Sequence, residues 1–116
     1  MQPQTKQKGV HQAHTLQLQI PYERAFERCQ AALGSINVAK SEQLPAEGRI
    51  KARTKISWKS FGEIVEFTLS KVNDNMTQVV ITSKPALPTT LFDYGKNSEN
   101  VKKICAFLTG KSSKAT

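Results

Sequence analysis

Large apolar residues alternate with polar ones through residues 48–56, 63–72 and 76–84, the pattern of three half-buried strands. One register accounts for all of them. With Ser57 opposite Gly62, Ile50 faces Leu69, Ala52 faces Phe67 and Thr54 faces Val65, while Arg53 meets Glu66 on the other side. Around the turn at residues 73–75 the same logic pairs Leu69 with Val79 and Phe67 with Ile81, and sets Glu63 across from Pro85. Side chains alternate faces along a strand, so a slip of one residue would turn this apolar set outward. The pattern thus predicts a three-stranded antiparallel meander with one apolar face, which includes Ile56, and the turn back into the ladder at Gly62 is expected to require a positive φ there or the close passage of another backbone.

Elsewhere the periodicity changes. Leu16, Leu18 and Ile20 alternate with Thr15, Gln17 and Gln19, a strand that Pro21 ends. From Tyr22 to Leu33 the spacing becomes three and four, through Ala25, Phe26, Cys29 and Ala32, which predicts an amphipathic helix with Gly34 as its left-handed C-terminal residue. Residues 36–41 suit a short strand. The stretch PALPTTLFDYGK after Lys84 holds two prolines and a glycine, so it reads as a long apolar loop. Asn97 or Ser98 is placed to cap a last helix whose buried stripe is Val101, Ile104, Cys105 and Leu108, closed by Gly110.

The element order is therefore β-α-β-β-β-β-α, and its economical packing is an α+β two-layer sandwich, an antiparallel sheet with two helices on one face. The two short strands, residues 15–20 and 36–41, are the candidate sheet edges, and the sequence leaves open which of them lies outside. This order resembles one half of the TATA-binding-protein fold and a reduced Bet v 1 or START-type helix-grip fold. It is also similar to the small bacterial domains of BamC. The resemblance spans residues 15–109 through topology, without a diagnostic motif. It implies the fold and transfers no functional residue, since such folds host DNA binding, lipid carriage and assembly alike.

At 116 residues the chain suits one domain, residues 15–110, between polar tails at 1–14 and 111–116 that have too little to bury and are expected to be disordered. The first 14 residues contain lysines but no apolar run after them, so neither a secretory signal nor a membrane span is expected there, and the expected location is the cytoplasm. Cys29 and Cys105 would then be reduced thiols that serve as small hydrophobes. Both histidines, His11 and His14, fall in the tail or at its edge, which leaves the folded region without an imidazole for a catalytic triad. No phosphate-binding glycine pattern and no metal-ligand spacing occurs. The residues Asp93, Tyr94, Gly95 and Lys96 before the last helix could hold an anion, but read more simply as a glycine turn with a solvated lysine. No cofactor, no metal and no enzymatic activity are expected.

The formal charge of +8 favours anionic partners, and two surfaces could use it. One is the outward face of residues 49–55, where Arg49, Lys51, Arg53 and Lys55 could track a nucleic-acid backbone. That face lacks the aromatics on which single strands stack. The other is the end of the sheet where SWKSFG and the start of PALPTTLFDYG emerge together. It gathers Trp58, Phe61, Leu87, Leu91, Phe92 and Tyr94, ringed by Lys55, Lys59, Lys84 and Lys96. Some of these must close the sandwich, but six exceed what closure commonly needs. The expectation is a non-catalytic binding module, a monomer or weak dimer. Its loop end would hold an amphipathic ligand, an anionic lipid surface or a protein segment, with Trp58 and Phe92 as anchors and Lys59 and Lys96 pairing the charge.

Overall fold

A computed structural model describes residues 11–57, 61–87 and 95–110. Its elements run β1 (Gln12–Leu18), α1 (Tyr22–Ala32), β2 (Val38–Leu44), β3 (Arg49–Thr54), β4 (Glu63–Asn73), β5 (Met76–Pro85) and α2 (Lys96–Thr109). The five strands form one antiparallel sheet in the order β1-β5-β4-β3-β2. Both helices pack on the same face, over β1, β4 and β5, in the two-layer α+β sandwich expected from the element order. Both candidate edges are actual edges: β1 and β2.

The core lies between the helices and one row of strand positions. Ile50 and Ala52 on β3, Val65, Phe67 and Leu69 on β4, and Val79 and Ile81 on β5 meet Ala25, Phe26 and Cys29 of α1 and Val101, Ile104 and Leu108 of α2. These positions alternate in each strand and recur at three and four in each helix, so binary patterning alone supplies the interior. In the β4–β5 hairpin the expected pairs are present: Leu69 faces Val79, Phe67 faces Ile81 and Glu63 faces Pro85.

The β3–β4 hairpin differs. Ile50 faces Phe67, Ala52 faces Val65 and Arg53 faces Ile64, two residues from the expected register. A shift of two keeps every side chain on its face, so apolar alternation cannot distinguish the two alignments. A polar interaction does. Thr54 and Glu63 end the paired segments, and the Thr54 hydroxyl both donates to Glu63 Oε1 at 2.7 Å and accepts from the Glu63 backbone N–H at 2.7 Å. In the expected alignment Thr54 would lie against Val65 instead. The connection consequently widens to residues 55–62, and Ile56, expected on the apolar face, is exposed.

Four local expectations are also corrected. β1 begins at Gln12, which brings residues 12–14, including His14, into the sheet, where His14 lies opposite Ile81. β2 runs over Val38–Leu44 instead of residues 36–41, because a 3-10 turn at Leu33–Ser35 extends α1 and delays the strand. That turn also removes the left-handed role expected of Gly34, whose φ is not positive. Finally, α2 starts at Lys96 after Gly95 in the left-handed conformation (φ 75°), with no side-chain cap from Asn97 or Ser98.

Gly62 matches its expected role in the turn. Its φ is +97°, and a Cβ built there would lie 2.9 Å from the Thr54 carbonyl oxygen. Its own carbonyl accepts the Ala86 N–H at 3.0 Å, tying the turn to the end of β5. Gly62→Val should therefore cost about 2–3 kcal/mol of unfolding free energy, from backbone strain plus the clash. Urea denaturation will measure it, and a wild-type-like midpoint would show that the turn tolerates a side chain.

Burial pushes the Cys29 thiol up to about 12 from 9.0, with the nearby Arg28 opposing more weakly. A raised native pKa makes the protonated thiol part of the folded state. The unfolded chain ionises first as pH rises, so this contribution is intact below the unfolded value and is lost between about pH 9 and 12. Stability of the wild type should fall more steeply over that window than stability of Cys29→Ala, as read by denaturation at stepped pH. Equal slopes would mean the thiol does not titrate with unfolding.

Candidate functional site

At one end of the sheet the inward row stops being apolar. The series Leu69, Phe67, Val65 on β4 continues to Glu63; Ile50, Ala52 on β3 continues to Thr54; Val79, Ile81 on β5 continues to Ser83. All three polar residues are buried, Glu63 to 2% exposure. Above them α2 contributes Asn97 and Asn100, which lie on the same helical stripe as Val101 and Ile104.

The five side chains form one network. Thr54 Oγ1 donates to Glu63 Oε1, and Asn100 Nδ2 donates to the same oxygen at 3.2 Å. Asn100 Nδ2 also lies 3.3 Å from Ser83 Oγ, which donates to Asn97 Oδ1 at 2.6 Å. Burying a carboxyl group is tolerable only when donors replace its water shell, and here β3 and α2 each supply one, through Thr54 and Asn100. Among the described residues no buried side-chain nitrogen or oxygen lacks a partner. The network ties the start of α2 to the ends of β3, β4 and β5.

The rim of this end is apolar. Ile56 is 68% exposed, Phe61 64% and Leu87 41%, each where the chain leaves or re-enters the sheet. Lys55 and Lys84 are exposed beside them. Of the residues expected at this end, Phe61, Leu87, Lys55 and Lys84 lie, exposed, at or near the ends of β3, β4 and β5. Trp58, Lys59, Leu91, Phe92 and Tyr94 lie outside the described residues. Lys96 is not the free charge expected: it is half-buried and its Nζ is 3.6 Å from Glu99, whose carboxyl is held below its usual range by hydrogen bonding to Lys103 first and by Lys96 as a further charge. The possible anion site at residues 93–96 thus has its lysine engaged by a neighbouring carboxylate, and Asp93 and Tyr94 lie outside the described residues.

The basic outer face is interrupted. Arg49 pairs with Glu66, through Nε at 2.8 Å and through Nη2, and its Nη1 lies 3.7 Å from Glu47. Arg53, expected beside Glu66, instead faces Ile64 and, across β2, Lys40. Lys51 has Glu42 on one side and Glu66 on the other. Carboxylates alternate with the cations, so Arg49, Lys51, Arg53 and Lys55 do not form an uninterrupted positive track. Among the described residues no group of three or more His, Cys, Asp or Glu could hold a metal ion, and no helix is long and apolar enough to cross a membrane.

No protein-family model and no curated protein matches the chain. Solved structures do. A START superfamily protein from Mycobacterium smegmatis superposes with a TM-score of 0.62 at 12% identity, over 93% of this chain and 100% of that one. Zhui aromatase/cyclase from Streptomyces sp. R1128 gives 0.58 at 15%, over 86% and 92%. The di-domain aromatase/cyclase BexL of the BE-7585A biosynthetic pathway gives 0.63 at 11%, over 85% of this chain, which spans 45% of that larger protein. At these identities the likeness is one of fold, and the fold is of the helix-grip class. It supports the START and Bet v 1 part of the expected resemblance; the TATA-binding-protein and BamC parts gain nothing from it.

These neighbours also overturn the expectation that the chain is not an enzyme. Two of the three are aromatase/cyclases by name, so this architecture accommodates catalysis. One premise of that expectation is also corrected, since His14 lies within β1 and so places an exposed imidazole in the folded region.

Replacing Thr54 by the isosteric Val removes the hydroxyl that serves Glu63 twice. It should destabilise the fold by about 2–3 kcal/mol, the cost of leaving buried polar groups short of partners. Thr68→Val, at an exposed position of β4, should stay within about 0.5 kcal/mol. Equal effects of the two substitutions in urea denaturation would show that the network carries no special share of the stability.

Proposed function

We propose that the chain is a ligand-binding module whose loop end, residues 55–62 and 85–95, takes an amphipathic small molecule. The observation that carries this reading is the exposure of Ile56, Phe61 and Leu87 at one end of the sheet, next to a buried polar network that joins β3, β4 and β5 to α2. Exposed large apolar side chains clustered at a concave or loop-lined end are characteristic of binding surfaces, whereas scattered ones are not. Lys55 and Lys84 at the rim suit an anionic head group, and an apolar body would rest on Phe61 and Leu87. Trp58, Leu91, Phe92 and Tyr94 belong to the same two loops and extend the apolar surface in this reading, with Lys59 adding to the positive rim. The helix-grip fold shared with START and aromatase/cyclase proteins supports a ligand as the partner. Nothing in the geometry favours nucleic acid at Arg49, Lys51, Arg53 and Lys55, because Glu42, Glu47 and Glu66 are interleaved with them.

Trp58 is the single tryptophan, so its fluorescence reports on this end alone. Titration with oleate below its micellar concentration should shift the emission and saturate. Phe61→Ala and Leu87→Ala should each weaken binding about tenfold, the loss of partial apolar burial against the ligand. The triple change Arg49→Gln, Lys51→Gln, Arg53→Gln should leave it alone. A response to anionic phosphatidylglycerol vesicles but not to monomeric oleate would replace the small ligand by a membrane surface. Unchanged emission with both would overturn the proposal.

A further inference from the structure

Strand β2 is an edge strand, and Ala39 to Gln43 within it are exposed. Both its ends are anchored. The Asn37 carbonyl accepts the Lys55 N–H at 2.8 Å, and the 3-10 turn Pro45–Glu47 follows Leu44. The helices stand over β1, β4 and β5, away from this edge. An accessible, rigid strand edge presents a row of backbone donors and acceptors ready to pair, and proteins commonly guard such edges with like charge. β2 is not guarded by like charge: its charges are one Lys40 and one Glu42, on either side of Ser41, and its irregularity lies before them, between Val38 and Lys40, so Lys40–Leu44 pairs regularly with β3.

That arrangement is self-complementary. If a second copy pairs antiparallel about a two-fold axis through Ser41, Lys40 of each copy lies directly opposite Glu42 of the other, twice by symmetry. The outer face extends the match. Across the sheet Glu66, Lys51 and Glu42 already alternate in sign, and Lys40 from the second copy would continue that row. Conversely, Lys40 within one copy lies next to Arg53, a like-charge contact that a facing Glu42 would offset. We propose that β2 is a homodimerisation edge that joins two copies into one continuous antiparallel sheet centred on Ser41. This is independent of the loop-end ligand, which lies beyond the ends of β3, β4 and β5. β1 shows no comparable pattern, because Gln12–Leu18 carries no lysine, arginine or carboxylate.

Charge reversal tests the pairing. Sedimentation equilibrium over a concentration series should show the wild type dimerising. Lys40→Glu and Glu42→Lys should each weaken the homodimer by about tenfold or more, since each change turns two attractive cross-strand pairs into repulsive ones. An equimolar mixture of the two variants should dimerise as the wild type does, because attraction is restored in both pairs, and so should the double variant Lys40→Glu, Glu42→Lys. Circular dichroism and melting check that each variant is folded. A second readout is Ser41→Cys. Residues directly opposite in an antiparallel pair have Cα atoms about 4.5–5.5 Å apart, within disulfide reach. Oxidation should link this variant as a dimer well above the wild-type background from Cys29 and Cys105, whereas Thr15→Cys on β1 should not. A wild type that stays monomeric to its solubility limit, or a dimer indifferent to both charge reversals, would overturn the proposal.

Discussion

The position of β4 between β3 and β5 determines which side chains share the interior. Strand β4 carries the longest inward run of large apolar residues, Val65, Phe67 and Leu69, and its pairing on both sides lines up Ile50, Phe67 and Ile81 in one row and Ala52, Val65 and Ser83 in the next. Each row is a layer of the core. Because the strands twist and the helices cross them, a shift of any strand would change every contact above it. Helix α1 adds Phe26 and Cys29 to the layers near Leu69, and α2 adds Val101, Ile104 and Leu108. Arg28 joins the helices: its guanidinium donates to the Phe107 carbonyl at 3.0 Å and lies 5.2 Å from the Phe107 ring centre. That contact adds a second donor to a carbonyl at the end of α2 that otherwise accepts, among the described residues, only the Gly110 N–H, at 3.4 Å.

The same rows explain why one end of the sheet differs from the other. Toward Leu69 the layers are apolar, and the chain closes over them with Gly48 and Tyr22, whose hydroxyl donates to the Pro45 carbonyl at 2.7 Å. Toward Glu63 the layers turn polar, and closure falls to hydrogen bonds among Thr54, Glu63, Ser83, Asn97 and Asn100. An apolar layer would grip equally well in several alignments. A buried carboxylate does not, because it requires donors at defined positions. The polar end therefore gives the sandwich its register at the point where α2 meets the sheet, and leaves the apolar side chains of that end, Ile56, Phe61 and Leu87, facing outward.

A helix-grip architecture shared with START and aromatase/cyclase proteins, at identities of 11 to 15%, shows how far patterning can hold while side chains change. In this chain, alternation in the strands and the apolar stripe of α2 carry that architecture, and one end of the sheet combines the exposed Ile56, Phe61 and Leu87 with the buried, hydrogen-bonded Glu63.

The sequence by itself determined the element order, the faces of the strands, the β4–β5 register and the glycine turn at Gly62. All of these follow from period-two and period-3.6 patterning or from a backbone conformation that glycine adopts without strain. It left open which short strand is an edge; the strand order shows that both are. Tertiary structure decided what patterning leaves degenerate. A two-residue shift between β3 and β4 preserves every face, and only the partner Thr54 offers to Glu63 separates the alignments. Glu63 and Ser83 continue the inward alternation, and Asn97 and Asn100 continue the stripe of Val101 and Ile104, yet local pattern gives Asn97 only as a helix cap and does not join the four residues into one network. Their burial depends on donors that come from four different elements, and no local stretch of chain contains that information.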